Sequence, residues 1–200
     1  STDVINLMQA NVNKDIYRVF TWAMGMKIPF VDAQKYATIG RSIDAILDKG
    51  IRLNHNKTID QLVYGGFASV GVSGITNDPN VVRTMADDGA AGESTWQNKT
   101  VDEILWDVNK MITEGWAASE YDDSALINHI LLPPQKYAYI VSTRIGTSAD
   151  ENILNYLLKN NLTTQNGKTL YIAPCRWCVG AGESSTDRMI GYVNDEDKLY

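Results

Sequence analysis

From Gln34 onward the apolar positions Tyr36, Ile39, Ile43, Ile46, Leu47 and Ile51, then Ile59, Leu62 and Val63, recur at the spacing of one helix face. The pattern predicts a long helix that closes at Gly65-Gly66, with Gly50 as a point where it can kink. Ahead of it the residues are mixed, and Ile16, Val19, Phe20 and Ala23 sketch an amphipathic stretch ending at Met26-Lys27-Ile28-Pro29. Behind it the periodicity stops. Gly65, Gly66, Gly71 and Gly74 interrupt residues 64–79, with apolar residues between them, which describes a tight backbone excursion. Residues 81–85 then predict a short strand, and residues 86–96, rich in Gly, Ala and Asp, a mobile loop.

Thr100-Val101-Asp102-Glu103 has the form of a capping box, so a helix starts there. Its apolar face runs Val101, Ile104, Leu105, Val108, Met111, Ile112 and Trp116, which turns Asp102, Asp107 and Lys110 towards water. Residues 126–132 form an apolar run stopped by Pro133-Pro134, predicting a buried strand that leads into a helix over residues 135–143. Residues 150–160 repeat the helical pattern through Ile153, Leu154, Leu157 and Leu158, and Asn160-Asn161 offers a stop. Residues 170–179 and 188–193 read as strands joined by a Gly/Ser-rich turn at 180–187, and a hairpin is the simplest connection. Helices and strands interleave without a regular βαβ repeat or a glycine-rich phosphate loop, which favours an α+β fold over a doubly wound sheet.

Composition narrows the functional classes. The chain has 200 residues, 44% hydrophobic and 21% charged, enough for one domain or two small ones. No apolar run approaches the roughly 20 residues a membrane helix needs, and the first residues lack the basic-then-apolar layout of a signal peptide, so a soluble protein is expected. A net charge of -6 without a Lys/Arg-rich run argues against gripping nucleic acid through its phosphates. A start at Ser1 reads as a processed or trimmed product of a longer parent.

Candidate chemistry is thin. Cys175-Arg176-Trp177-Cys178 has the spacing of half a zinc site or of a redox pair, and suits a reducing cytoplasm. Tetrahedral zinc needs two more ligands, and the histidines are His55 and His129. The motif falls in a predicted strand after Pro174, whereas an activated thiol needs a helix N-terminus, so two buried structural thiols are the plainer reading. His129, inside the apolar run, reads as a core or edge histidine before it reads as a base for a cysteine nucleophile. Asp87-Asp88, Asp122-Asp123 and Asp195-Glu196-Asp197 fall in predicted loops, where solvated charge is the ordinary state, and none has calcium-loop spacing. Trp22, Trp96, Trp106, Trp116 and Trp177 lack the interleaved cations of a base-stacking platform and suit cores and subunit contacts.

Three ordered segments carry a resemblance: Ile39-Gly40-Arg41-Ser42-Ile43-Asp44 opening the long helix, Tyr64-Gly65-Gly66 with Gly71-Val72-Ser73-Gly74-Ile75-Thr76-Asn77 closing it, and Leu131-Leu132-Pro133-Pro134-Gln135-Lys136-Tyr137. In this order, from Gln34 to Tyr200, the chain resembles the major capsid proteins of tailed phages and prophages, the Hong Kong-97-type fold shared by encapsulins. The resemblance implies a spine helix at about residues 34–64 within a peripheral domain over residues 1–75. It also implies an axial domain over residues 76–200, with helices on a mixed sheet and a closing hairpin. Residues 86–96 or 180–187 would face the centre of a capsomer.

The implied function is a non-enzymatic shell subunit that self-assembles into hexamers and pentamers enclosing double-stranded DNA, in the virion after assembly in the bacterial cytoplasm. Scaffolding and portal proteins are implied partners, with no specific nucleic-acid binding, membrane, cofactor or metal. The family has an N-terminal arm and an extended loop ahead of the spine helix and further peripheral strands beyond the position of Tyr200, whereas fewer than forty residues precede Gln34 here, which suggests a fragment. Two alternatives stand beside this reading: an encapsulin-like compartment, and a thiol or zinc enzyme using Cys175 and Cys178.

Overall fold

The computed structural model describes residues 21, 23–25, 27, 29–38, 43–146 and 151–195. They divide into two compact units, Ser1–Ile59 and Asp60–Tyr200. The first contains α1 (Phe30–Thr38) and the start of α2 (Ile43–Gly65). Of the helix predicted from Gln34, residues 34–38 and 43–65 are helical, and residues 39–42 lie outside the described set. Gly50 lies inside α2, which is assigned as helix throughout. The amphipathic stretch through Ile16, Val19 and Phe20 lies outside the described residues.

The second unit is built on α3 (Val101–Ala118). Thr100 Oγ1 accepts from the Glu103 amide, and the Glu103 carboxylate accepts from the Thr100 amide at 2.7 Å, so the capping box closes as predicted. Ile104, Val108 and Ile112 are completely buried, and Val101, Leu105, Met111 and Trp116 pack around them. β1 (His129–Leu132) follows, then α4 (Pro134–Ser142), α5 (Ile153–Lys159), α6 (Leu162–Gln165), β2 (Tyr171–Pro174) and β3 (Ile190–Tyr192). Helices and a mixed sheet share one unit, as the α+β reading expected.

The sheet order is β2-β1-β3, with β2 parallel and β3 antiparallel to β1. The predicted hairpin is thus wrong: β2 and β3 never pair with each other but flank β1 on either side. The reason lies in β1 itself. Ile130 and Leu132 enter the main core with Ile140, Ile153 and Leu157, whereas Leu131, pointing the other way, enters a second cluster with Cys175, Cys178 and Ile190. A strand apolar on both faces belongs at the centre of a sheet, where both of its edges are paired.

Two further expectations fail. Residues 81–85 form no strand, Val82 to Met85 find no backbone hydrogen-bond partner among the described residues, and Val82 and Met85 stay exposed. Residues 175–179 leave the sheet after Pro174 for a 3-10 turn over Arg176–Cys178, so the cysteines sit in a turn rather than a strand. The segment 86–96 is irregular as expected but fastened. Asp87 pairs with Lys110 at 2.7 Å, the Ala90 amide donates to Glu103 at 2.7 Å, and Trp96 is buried. The stop expected at Asn160-Asn161 holds: α5 ends at Lys159 with Asn160 as its C-cap, and Asn161 caps α6, its side-chain oxygen accepting from Thr164 N at 2.8 Å.

Candidate functional site

The end of α2 is where the glycine segment acquires a purpose. An α-helix leaves its last four carbonyls without partners. Here the returning chain supplies the missing donors one after another. Ile75 N donates to Val63 O at 3.0 Å, and Thr76 donates to Tyr64 O through both its amide at 2.9 Å and its hydroxyl at 2.6 Å. Asn77 Nδ2 reaches Gly65 O at 2.9 Å, while its Oδ1 accepts from Gly74 N at 2.7 Å. Residues 75–77 thus clasp the helix terminus.

The clasp demands glycine at two points. Gly66 has φ +70, and a Cβ there would lie 2.6 Å from Gly74 N and 2.7 Å from Ser73 C. A Cβ on Gly74 would lie 2.5 Å from the Tyr64 carbonyl carbon and closer still to Gly66 N. Between these glycines Phe67 and Val72 exchange backbone hydrogen bonds at 2.8 and 3.2 Å, closing a small loop over Gly71. The sequence segment that reads as an excursion is a folded plug on a helix end.

The clasp is tied to the sheet. Trp177 Nε1 donates to Asp60 Oδ2 at 2.7 Å, one turn before the end of α2. Arg176 approaches the same carboxylate at 3.5 Å and stacks 4.4 Å over the Trp177 ring. The Arg188 guanidinium, just before β3, donates to Thr76 O. Tyr64 and Ile75 pack against Leu131, Cys175, Cys178 and Ile190. Asp60, Thr76 and Arg188 were not legible as partners, because residues more than a hundred positions apart meet only once the sheet has formed.

The cysteines serve this junction as apolar filler. Cys175 and Cys178 are free and buried. Burial pushes the Cys178 thiol well above the ordinary value, and the adjacent Cys175 pushes the same way. Such a group resists forming the thiolate that nucleophilic or metal chemistry requires. His129 is not in reach: Cys175 N donates to Leu132 O, placing His129 three strand residues away, or about 10 Å. Instead His129 lies between Tyr171 and Tyr192, ring centroids 5.2 and 5.5 Å away, where burial lowers its pKa. Among the described residues no group of three or more His, Cys, Asp or Glu side chains gathers to hold a metal.

The other candidates disperse. Asp122 accepts from the Ser124 amide and hydroxyl at 2.8 and 2.7 Å, Asp123 accepts from Asn166 at 3.1 Å, and Glu196 and Asp197 lie outside the described residues. Trp106 is exposed, Trp116 meets Tyr121 edge-on at 5.0 Å, and Trp22 is outside the described set. Asp107, expected to face water, is buried: its carboxylate accepts from Lys99 Nζ at 2.6 Å and from Trp96 Nε1 at 2.8 Å. That pair anchors the segment entering α3 and contributes no open chemistry.

The remaining surface is apolar in places. No residue of α2 from Ala45 to Gly65 is fully buried, and Ile46, Leu53, Ile59 and Val63 are exposed along it. The segment Ile39-Gly40-Arg41-Ser42 lies outside the described residues. The Leu131–Tyr137 segment is the exit from β1 into α4, where Pro133 and Pro134 set the first turn and Tyr137 N donates to Pro133 O at 2.9 Å.

A family model described as major capsid protein matches residues 1–200. The fold is similar to a chain from the capsid of Myoviridae Phage XM1, with a TM-score of 0.66 and 16% identity. That match covers 83% of this chain and 53% of the phage chain, so this chain spans about half the length of the capsid chain it resembles. No curated protein matches it.

Proposed function

This chain belongs to the major capsid protein family, and from that membership we propose that it is a structural subunit of a tailed-phage or prophage shell of the Hong Kong-97 type. Subunits associate into hexamers and pentamers that enclose double-stranded DNA in the virion, after assembly in the host cytoplasm with scaffolding and portal proteins. α2 is the spine helix of a peripheral domain over residues 1–75, and residues 76–200 are the axial domain. Residues 86–96 or 180–187 face the capsomer centre. The role is structural and non-enzymatic, in keeping with a Cys178 thiol whose burial disfavours the thiolate.

The observation that carries this reading is α2. It has 23 residues, about 34 Å of helix, and between Ala45 and Gly65 no side chain is fully buried. Helices in proteins owe most of their stability to packing of an apolar face. One that exposes Ile46, Leu53, Ile59 and Val63, yet is clasped firmly at its end, is suited to receive cover from other subunits. Many modest contacts of this kind sum to a stable closed shell.

Electron microscopy with size-exclusion light scattering tests the proposal on the protein expressed alone and with the products of neighbouring open reading frames. Shells, or rings of five or six subunits, are the expected result. A protein that stays monomeric under both conditions overturns it.

A further inference from the structure

Residues 82–89 run without helix, turn or bend, and residues 81–88 are exposed on both sides of the chain. Val81, Val82 and Met85 are 49%, 78% and 66% exposed. Among the described residues no backbone N–H or C=O from Val82 to Asp88 has a hydrogen-bond partner. The segment is nevertheless pinned at both ends. Arg83 Nη2 donates to Asn77 O at 3.2 Å and Asp78 O at 3.0 Å, and Asp87 is held by Lys110 at 2.7 Å. An anchored backbone without hydrogen-bond partners, exposed on both sides and carrying apolar side chains, is open to a strand from another chain.

We propose that residues 82–88 pair antiparallel with the same residues of a second copy, about a two-fold axis at Met85. The occupant follows from the charges. Arg83 and Asp87 stand two residues on either side of Met85, so this register sets each Arg83 opposite the partner's Asp87, and Met85 against its own copy. Centring on Thr84 would place Arg83 against Met85 and Asp87 against Val81, and centring on Ala86 would place Arg83 against Gly89. Both leave the charges unmatched. The contact is isologous and therefore closes on itself, as a two-fold contact between neighbouring subunits must. It rests on the reading that the protein self-associates, and adds where two copies meet.

The test uses the whole chain carrying Met85→Cys, allowed to assemble and then treated with a short bis-maleimide, with the buried Cys175 and Cys178 of the unsubstituted protein as background. A covalent dimer specific to the variant is expected. Adding Arg83→Glu should cut its yield about tenfold, the effect of roughly 1.4 kcal/mol at an interface. Met85→Asp, which leaves Arg83 on its two carbonyls, should likewise remove amide-exchange protection of residues 82–88 in the assembled protein. Assembly without a Met85→Cys dimer above background overturns this surface while leaving the capsid reading in place. Equal yield with and without Arg83→Glu overturns the register, and protection of residues 82–88 in the monomer shows the edge covered by its own chain. Failure to self-associate at all removes the capsid reading and this contact together.

Discussion

Lys99 donates to Asp107 at 2.6 Å with their side chains only 1% and 4% exposed, and the Trp96 indole donates to the same carboxylate oxygen. Buried ion pairs contribute little net stability against an apolar alternative, yet breaking one partner leaves an uncompensated charge. Asp107→Asn keeps an acceptor for Trp96 but strands the Lys99 ammonium. It should destabilise the fold by about 3–5 kcal/mol in urea unfolding, whereas Lys99→Met combined with Asp107→Leu should recover most of that. A loss below about 1 kcal/mol for Asp107→Asn would mean that Lys99 escapes to water.

Gly74, in the segment that returns to the helix end, and Gly50, inside α2, predict opposite outcomes. A Cβ at Gly74 collides with backbone of the helix end, while one at Gly50 meets nothing within 4 Å. Gly74→Ala should therefore cost about 3 kcal/mol, and Gly50→Ala, relieved of glycine's entropy penalty, should gain about 0.5–1 kcal/mol. Thermal unfolding of the two variants reads the difference in sign directly.

The tie between Trp177 and Asp60 is a charge-assisted hydrogen bond, partly screened because the Asp60 side chain is 44% exposed. Trp177→Phe and Asp60→Asn should each lose about 1 kcal/mol, and the double variant should lose little more than either alone. Additive losses would show that the two residues act independently.

Stability should also depend on alkaline pH. Burial raises the Cys178 thiol, and raises Tyr64 and Tyr192 in the same junction. For each, the neutral form is favoured in the folded state, so the unfolded chain releases its proton first as pH rises. Their stabilisation is fully present below about pH 8.5, the ordinary thiol value, and is lost progressively above it. Urea midpoints should fall through this range, and Cys178→Ala should flatten the first part of the fall. Thiol labelling at neutral pH should be slow in the native protein and fast in denaturant.

What was legible in the sequence was local. Thr100 and Glu103 announced the start of α3 because a capping box is complete within four residues, and Pro133-Pro134 announced the β1-to-α4 boundary for the same reason. Asp107 was misread because helical periodicity assigns faces without knowing that Lys99 and Trp96 fold back beside one of them. The hairpin was misread because adjacency along the chain is a weak guide when a central strand is free to take both neighbours. The two-sided apolar run of β1 held that information. The glycines at 66 and 74 were visible as irregularity, but their close approach to each other, with Gly74 against Tyr64, needed the helix end in place.

The clasp at the end of α2 also has a mechanical meaning. Its hydrogen bonds from Ile75, Thr76 and Asn77 act on consecutive helix carbonyls, and the Trp177 and Arg188 contacts join the same point to the sheet. A pull along the helix axis is shared among these bonds at once instead of opening them in turn. Load applied to residues 60–65 is thereby carried into the β1 region by several bonds in parallel.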